Sequence, residues 1–412
     1  MTQGSIPPEL RRARVAVLVH FFVLGAATAT WAARLPAIKT TLHLSDSHLG
    51  FALFAVPAGS VLTLAASGRI TDRFGAVRVM RLAGVCVPAS LATIGLGPQF
   101  RSLPLWVAAL VCFGAVAGLL DVAMNACGAR LEVAYGRPIL SSLHAGYSIA
   151  GLAGAAIGGI FAALSVSPLL TCVAAAVALG LLSAVTGRYA VLPPAPPRVD
   201  QPAGAPRRSA REISVVIWVL GLLALCGQLG EGSAGDWSAV YIRDLGSSPG
   251  AAAIGLAAFS VTMAAGRVAG DRLASRLGPV RLVRYSGLLA GFGLAAGLLI
   301  RSPVAAIVGF ALLGAGLAGI FPQIVSSAAR LDPEHAGRNI GRIAAVAYSG
   351  LLGGPVVIGA VAAGVGLRGA LLVPAALAVL VAALAGVMRP HDNVDVDRDE
   401  QETSLESLRD GS

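Results

Sequence analysis

Gly68-Arg-Ile-Thr-Asp72-Arg73-Phe-Gly75 recurs, with one residue inserted, as Gly266-Arg-Val-Ala-Gly-Asp271-Arg272. Both copies sit in short basic gaps between long apolar runs, half a chain apart. The rest of the chain repeats with them. Ala129-Arg130-Leu131-Glu132 is answered by Ala329-Arg330-Leu331-Asp332. The stretch from Gly136-Arg137 to Gly158 aligns without gaps on Gly337-Arg338 to Gly359, matching Ile139 with Ile340, Tyr147 with Tyr348, Ser148 with Ser349 and Ile157 with Ile358. A duplicated hydrophobic chain with charged punctuation at matching places is how many secondary transporters are built.

Composition names the solvent. The chain is 56% hydrophobic and 13% charged, against about 25% charged in a soluble domain, so its surface is made for lipid. The basic balance of +10 is almost entirely arginine, Lys39 being the single lysine. No interleaving of aromatic and basic residues marks a nucleic-acid surface. Cys86, Cys112, Cys127, Cys172 and Cys226 all fall inside apolar runs without CxxC spacing. They read as small buried hydrophobes, with no disulfide and no metal.

Twelve runs approach the ~20 residues a bilayer requires. They cover roughly 14–34, 48–68, 79–97, 103–127, 142–164 and 168–189, then 213–241, 250–270, 280–300, 303–329, 341–364 and 368–388. The expected architecture is an all-α membrane protein of twelve transmembrane helices in two pseudo-symmetric six-helix bundles, 1–189 and 213–388. Residues 190–212, with Pro193, Pro194, Pro196, Pro197, Arg207 and Arg208, read as an extended cytoplasmic linker. Residues 389–412 form an acidic tail that reads as disordered. With the N-terminus in the cytoplasm, 25 of the 31 basic residues fall on the inner side. The positive-inside rule therefore puts both termini in the cytoplasm, and the first run, too long for a cleaved signal, is a retained helix.

Polar residues inside apolar spans mark the candidate site. Asp121 lies late in the fourth span, in Gly118-Leu-Leu-Asp121-Val-Ala-Met-Asn125. An Asp there costs ~2.5–3.5 kcal/mol on insertion scales, so it is expected to face the bundle interior or water. Asn125, one turn on and on the same face, is a candidate substrate contact lining the cavity. A carboxyl so placed can load and release a proton, which makes Asp121 the first proton-coupling candidate. His144 and Tyr147 share a face of the fifth span and are candidate substrate contacts. His20 has nothing else polar within a turn. The seventh span carries Gln228, Glu231, Asp236 and Trp237 among Gly227, Gly230, Gly232 and Gly235. Those glycines are expected to weaken its outer half. Glu231 is the second proton-coupling candidate and Gln228 a substrate contact, whereas Asp236, Trp237 and Arg243 read as interfacial. Trp31 and Arg34 end the first span and are candidate substrate contacts; Arg34 is either an extracellular gate or substrate contact, or an interface anchor. Gln323, beside Pro322, is a candidate cavity donor and acceptor.

The duplicated Gly-x-x-x-Asp-Arg gap resembles the loop between helices 2 and 3 of the major facilitator superfamily and its echo between helices 8 and 9. That resemblance implies a conformational latch of Gly68, Asp72, Arg73, Gly266, Asp271 and Arg272. The glycines allow close helix approach, and the aspartates can cap a neighbouring helix. Arg73, Arg78, Arg272 and Arg276 are expected to pair with acids such as Glu132 and Asp332. The Asp121-x-x-x-Asn125 pattern is similar to helix 4 of the fucose permeases, where an acid is the proton site. The similarity extends to Phe321-Pro322-x-x-x-Ser326, and it puts His144 at a sugar contact. Aligning on Pro36 places Ala32 where that family has a second acid. Trp31-Ala-Ala-Arg34-Leu-Pro36, Asp236-Trp237-Ser-Ala-Val-Tyr241 and Ser142-Leu-His144-Ala together resemble the YbjJ-like branch of bacterial facilitators.

These readings imply a proton-coupled secondary transporter of a small polar solute in the bacterial cytoplasmic membrane, acting as a monomer without cofactor. The alternative is a proton-driven exporter of drugs or secondary metabolites, suggested by Gly154-Ala-Ala-Ile-Gly158-Gly159, which resembles a drug-antiporter element without its proline. An enzyme is not expected: no metal-spaced His/Cys set, nucleophile–base pair or Walker loop is present.

Overall fold

A computed structural model describes residues 6–192 and 210–389; most of the expected linker and the acidic tail lie outside the described residues. The first half holds α1 (Pro8–Ala32), α2 (Leu35–Thr41), α3 (Asp46–Leu53), α4 (Ala55–Phe74), α5 (Ala76–Ile94), α6 (Leu96–Gln99), α7 (Leu103–Tyr135), α8 (Leu140–Ala163) and α9 (Pro168–Gly187). The second holds α10 (Ala210–Asp244), α11 (Pro249–Leu277), α12 (Pro279–Leu299), α13 (Pro303–Leu317), α14 (Ile320–Leu331) and α15 (Ala336–Leu384).

Local chemistry sets the helix ends. Proline occupies the first turn of α7, α9, α12 and α13, where its missing N–H costs nothing. Ser102 and Ser167 accept hydrogen bonds from the amides of Leu105 and Leu170 as N-caps. The repeat reaches the turns as well. Arg101 and Arg301, both at positive φ (48° and 55°), precede Ser102 and Ser302.

Among the described residues, nine helices are long and apolar enough to cross a membrane, or ten if Phe51–Leu64 and Ala66–Phe74, bent by 51°, form one span. The difference from the twelve expected lies in two places. Pro333–Met388 passes as one helix but turns at Gly366 (φ 75°, ψ 162°), a backbone state open to glycine. Pro249–Leu277 spans 29 residues, with Arg267, Asp271, Arg272 and Arg276 gathered in its final turns, but several side chains of its first turns lie outside the described residues. The fourth span is also longer than expected, since α7 continues to Tyr135 and stops at left-handed Gly136.

Two hydrophobic cores form, one around Phe21, Met80, Trp106 and Phe113, the other around Leu294, Phe310, Leu313 and Ile324. Helix pairings repeat between them. α1 packs on α8 as α10 packs on α15, α4 on α7 as α11 on α13, and α5 on α7 as α12 on α13. At the centre of the α4–α7 contact, a Cβ on Gly114 would lie 1.9 Å from the Val56 carbonyl oxygen; its repeat mate Gly314 would lie 2.2 Å from that of Phe259. Only glycine permits helices so close without a hydrophobic drive to join them in lipid. Ser60 and Thr63 then donate to the exposed carbonyls of Gly114 and Ala115, and Thr262 donates to that of Ala311. The outer surface is apolar, with Leu62, Leu82, Ile160, Leu181, Phe292 and Val356 exposed, as a lipid-facing surface requires.

Two expectations change. Cys127, Cys172 and Cys226 are buried, but Cys86 and Cys112 are exposed, on faces that lipid would cover. All five are free. The glycines of the seventh span do not break it, since α10 runs continuously from Ala210 to Asp244. Instead they admit close neighbours: a Cβ on Gly232 would lie 2.8 Å from the Leu351 carbonyl oxygen, and one on Gly230 3.1 Å from Leu317.

Gly114→Val and Gly314→Val should each lower stability by ~1–3 kcal/mol, the cost of overpacking a close contact. Gly159→Val, whose site has nothing within 4 Å, should not. Thermal unfolding of the purified variants in one detergent checks this, and equal melting of all three would contradict the packing account.

Candidate functional site

The two halves join along two seams, α4 against α15 and α8 against α11. At the end where α1 begins and α15 finishes, each seam is closed by the same device. The Asp72 carboxylate at the end of α4 accepts from the Arg338 amide (3.0 Å), the third residue of α15. The Asp271 carboxylate at the end of α11 accepts from the Ser142 amide (3.1 Å), the third residue of α8. A helix N-terminus has free amides and a positive dipole end, so each acid caps a helix of the opposite half. Arg14 adds a hydrogen bond to the Ser142 hydroxyl (2.9 Å) and lies 3.9 Å from Asp271. Gly68 and Gly270 bring the backbones together: a Cβ on Gly68 would lie 2.6 Å from Arg338 Cα, and one on Gly270 2.6 Å from Ser141 Cβ.

The predicted arginine pairings differ from those observed. Glu132 caps the start of α8 through the Ile139 and Leu140 amides (2.9 and 3.1 Å), and it also reaches α14, where the Ser326 hydroxyl and Arg330 (3.3 Å) donate to it. Asp332 takes His335 (3.1 Å) and Asn339 (3.3 Å). Arg73 and Arg272 are exposed, and Arg73 lies over the Phe74 ring. Glu132 is met by groups of the facing α14 and Asp332 by His335 and Asn339 just after it in the chain, so the loop arginines are left to solvent.

The inserted residue matters most. In the first copy Gly68 stands four positions before the capping aspartate; in the second that position is Arg267, and Gly266 is displaced. One residue turns a helix by about 100°. Gly266 therefore faces Ala318 inside its own half, and Arg267 faces the seam. There it donates to the Ser148 hydroxyl of α8 (2.7 Å) and pairs with Glu231 of α10 (3.6 Å), tying both halves at mid-depth. Arg267 was not among the candidates, although the insertion was visible in the repeat.

Beside this tie lies a polar chain. Asp121 is 8% exposed and Asn125 fully buried, both on α7. Asn125 donates through Nδ2 to Asp121 Oδ1 (3.1 Å) and presents its Oδ1 to His144 Nε2 (3.1 Å), so His144 donates from Nε2 in this arrangement. Tyr348 of α15 faces Asp121 across the seam, within electrostatic reach of it. Its repeat mate Tyr147 lies within electrostatic reach of Asp121, Glu231 and Arg267. The His144 ring meets Phe21 of the first half edge-on at 4.9 Å and Phe321 of the second at 5.6 Å.

The structure thus gathers Asp121, Asn125, His144, Tyr147 and Glu231 into one central region and adds Tyr348, Arg267 and Ser148. The match of Tyr147 with Tyr348 was the available sign for Tyr348. Gln323 is buried two residues from Phe321, and Gln228 is half-buried one turn from Glu231. Trp31 and Arg34 stand apart. Trp31 packs edge-on against Phe113, two turns of α7 beyond Asp121, and Arg34 donates to the Val166 carbonyl (2.5 Å) inside the first half. Helix position alone placed them; the side chains turn into the core. His20 is held by the Ala16 carbonyl (2.7 Å) and Ser183 (3.3 Å).

Further from the termini, the same seam helices turn their close contacts inward. Gly154 meets Ala26, Gly158 meets Thr30, Gly255 meets Ile242 and Gly354 meets Leu229, each within its own half. The halves are therefore joined from the terminal end up to the Asp121 region.

Residues 16–241 and 237–410 match the model of the family described as the Major Facilitator Superfamily. An uncharacterized transporter, y4wD, of Sinorhizobium fredii is 33% identical over 90% of this chain and 97% of its own length. The crystal structure of the transporter FucP in the outward conformation superposes with a TM-score of 0.77 at 17% identity, over 92% of this chain and 98% of that one. A substituted form of the Escherichia coli fucose:proton symporter FucP gives 0.70 at 17% identity over the same shares.

Each cross-half cap should contribute about 1 kcal/mol, so losing both shifts the closed-to-open ratio by up to roughly thirtyfold. Spin labels at Gly136 and Pro333, with the Asp72→Ala/Asp271→Ala double variant, test this. A longer-distance population absent from the parent is expected, and identical distributions would refute the capping account.

Proposed function

The chain belongs to the Major Facilitator Superfamily, and from that premise we propose that it is a proton-coupled carrier of a small polar solute, with Asp121 holding the proton. Family and fold support secondary transport. One observation carries the finer reading: the buried acid of one half lies within electrostatic reach of a tyrosine of the other. A charged Asp121 attracts the Tyr348 hydroxyl and the Asn125 amide. Loading a proton removes that charge and one acceptor position, which loosens a contact between halves. Proton occupancy and the relation of the halves are thereby linked, as an alternating-access cycle requires.

The solute would sit between Asn125, His144, Tyr147 and Glu231, with Gln228 and Gln323 at the margin. Amide, imidazole and phenol groups beside the Phe21 and Phe321 rings suit a hydroxylated solute with an apolar face, and the fold neighbour's fucose:proton symport is in keeping with this. Arg267 would hold Glu231 until solute or proton competes for it. The arginine bias supports a cytoplasmic-membrane site with both termini inside, and nothing in the fold requires a second copy. An exporter of apolar compounds is the second reading, favoured by the aromatic walls around His144. Its glycine element is accounted for by packing, since Gly154 and Gly158 meet α1.

A thermal-shift screen against monosaccharides, amino acids and antibiotics would name the solute class. With a hit in proteoliposomes, Asp121→Asn should abolish uptake driven by a proton gradient while leaving solute exchange in place. Full gradient-driven uptake by the variant would end the assignment. Stabilisation by antibiotics alone, without uptake, would decide for the exporter.

A further inference from the structure

Beside the α4–α15 seam, a lateral crevice of about 400 Å³ opens between α4, α10 and α15. Its mouth carries Arg69, Arg338 and Arg342; its floor is Leu64, Ala345 and Val346; Trp218 stands at its rim, 56% exposed. Arg69 and Arg342 are exposed and without an ion-pair partner among the described residues. Arg338 Nε is buried with no hydrogen-bond partner among them. The three arginines make no hydrogen bond or ion pair to the Asp121 cluster among the described residues, although the floor at Leu64 and Ala345 packs close to Tyr348. Arg69 is the first-half counterpart of Arg267, but without the inserted residue its helix face turns outward.

We propose that this crevice binds one anionic phospholipid from the leaflet at the terminal end of the bundle. Three guanidinium groups around one opening complement a phosphodiester, and guanidinium geometry suits phosphate oxygens. Their level is the headgroup level: Arg338 is the third residue of α15, and Arg69 lies one turn before the end of α4. The apolar floor runs deeper, through Leu64 and Val346, where an acyl chain would lie and a free anion would gain nothing. An exposed tryptophan at the rim is the usual companion of the interface. Basic pockets between helices at that level take anionic headgroups. The occupant would contact both halves, because α4 belongs to the first and α15 to the second.

Native mass spectrometry of the purified chain, with phosphatidylglycerol or phosphatidylcholine supplied in equal amounts, tests the proposal. The parent should retain one phosphatidylglycerol in preference to phosphatidylcholine, and Arg69→Gln/Arg342→Gln should weaken that retention by tenfold or more, on the order expected for two interfacial arginines. Unfolding in phosphatidylcholine nanodiscs should be the same for both proteins. Equal retention of the two lipids by the parent would overturn the proposal, as would undiminished phosphatidylglycerol on the variant. Displacement of the lipid by millimolar inorganic phosphate would reassign the crevice to a free anion. Should the variant fail to fold, the lipid comparison and the phosphate competition on the parent still decide.

Discussion

A helix that begins inside or at the edge of a bilayer starts with backbone amides that no preceding turn can satisfy. In water such ends are cheap; near lipid they need a partner. This chain supplies the partner from the opposite half. Asp72 serves α15 and Asp271 serves α8, each at the third amide, and the glycines nearby allow the backbones to come close enough for the bond. A charge at a dipole end is directional, so these two bonds fix where the halves meet as well as that they meet. The positions of Tyr348 against Asp121 and of Arg267 against Ser148 follow from that registration.

Much of the architecture could be read from the chain because lipid imposes a coarse grammar. Apolar runs of fixed length, basic gaps and a doubled motif gave the two halves, and the structure repeats even the turns at Arg101 and Arg301. What escaped is finer. The break at Gly366 looks like a loop in hydropathy but is a single left-handed residue. The glycines of α10 look like helix breakers; in place they are contact surfaces, because neighbouring helices restrain a backbone that isolated propensity would let fray.

The central site was half legible. Asp121, Asn125, His144 and Tyr147 announce themselves by polarity and helical spacing within a few turns. Tyr348, Arg267 and Ser148 work through contacts between residues more than a hundred positions apart in the chain, which spacing cannot show. Trp31 and Arg34 show the complementary point: closeness to the end of a span says nothing about the direction of a side chain, and both turn into the first core. For Arg267 the clue was arithmetic. An extra residue before Asp271 rotates the face of α11, exchanging a glycine for an arginine at the seam.

That exchange leaves the two seams unequal. On the α4–α15 side the polar join among the described residues is the Asp72 cap, set beside close glycine contacts and the packing of Leu64 with Ala344. On the α8–α11 side Arg14, Arg267 and the bridge from Glu132 to α14 reinforce the equivalent cap. Under the proposed cycle, a body fastened more strongly along one edge swings open along the other. The mouth beside these caps would then part like a book cover about its spine, admitting water first from the flank beside Trp218.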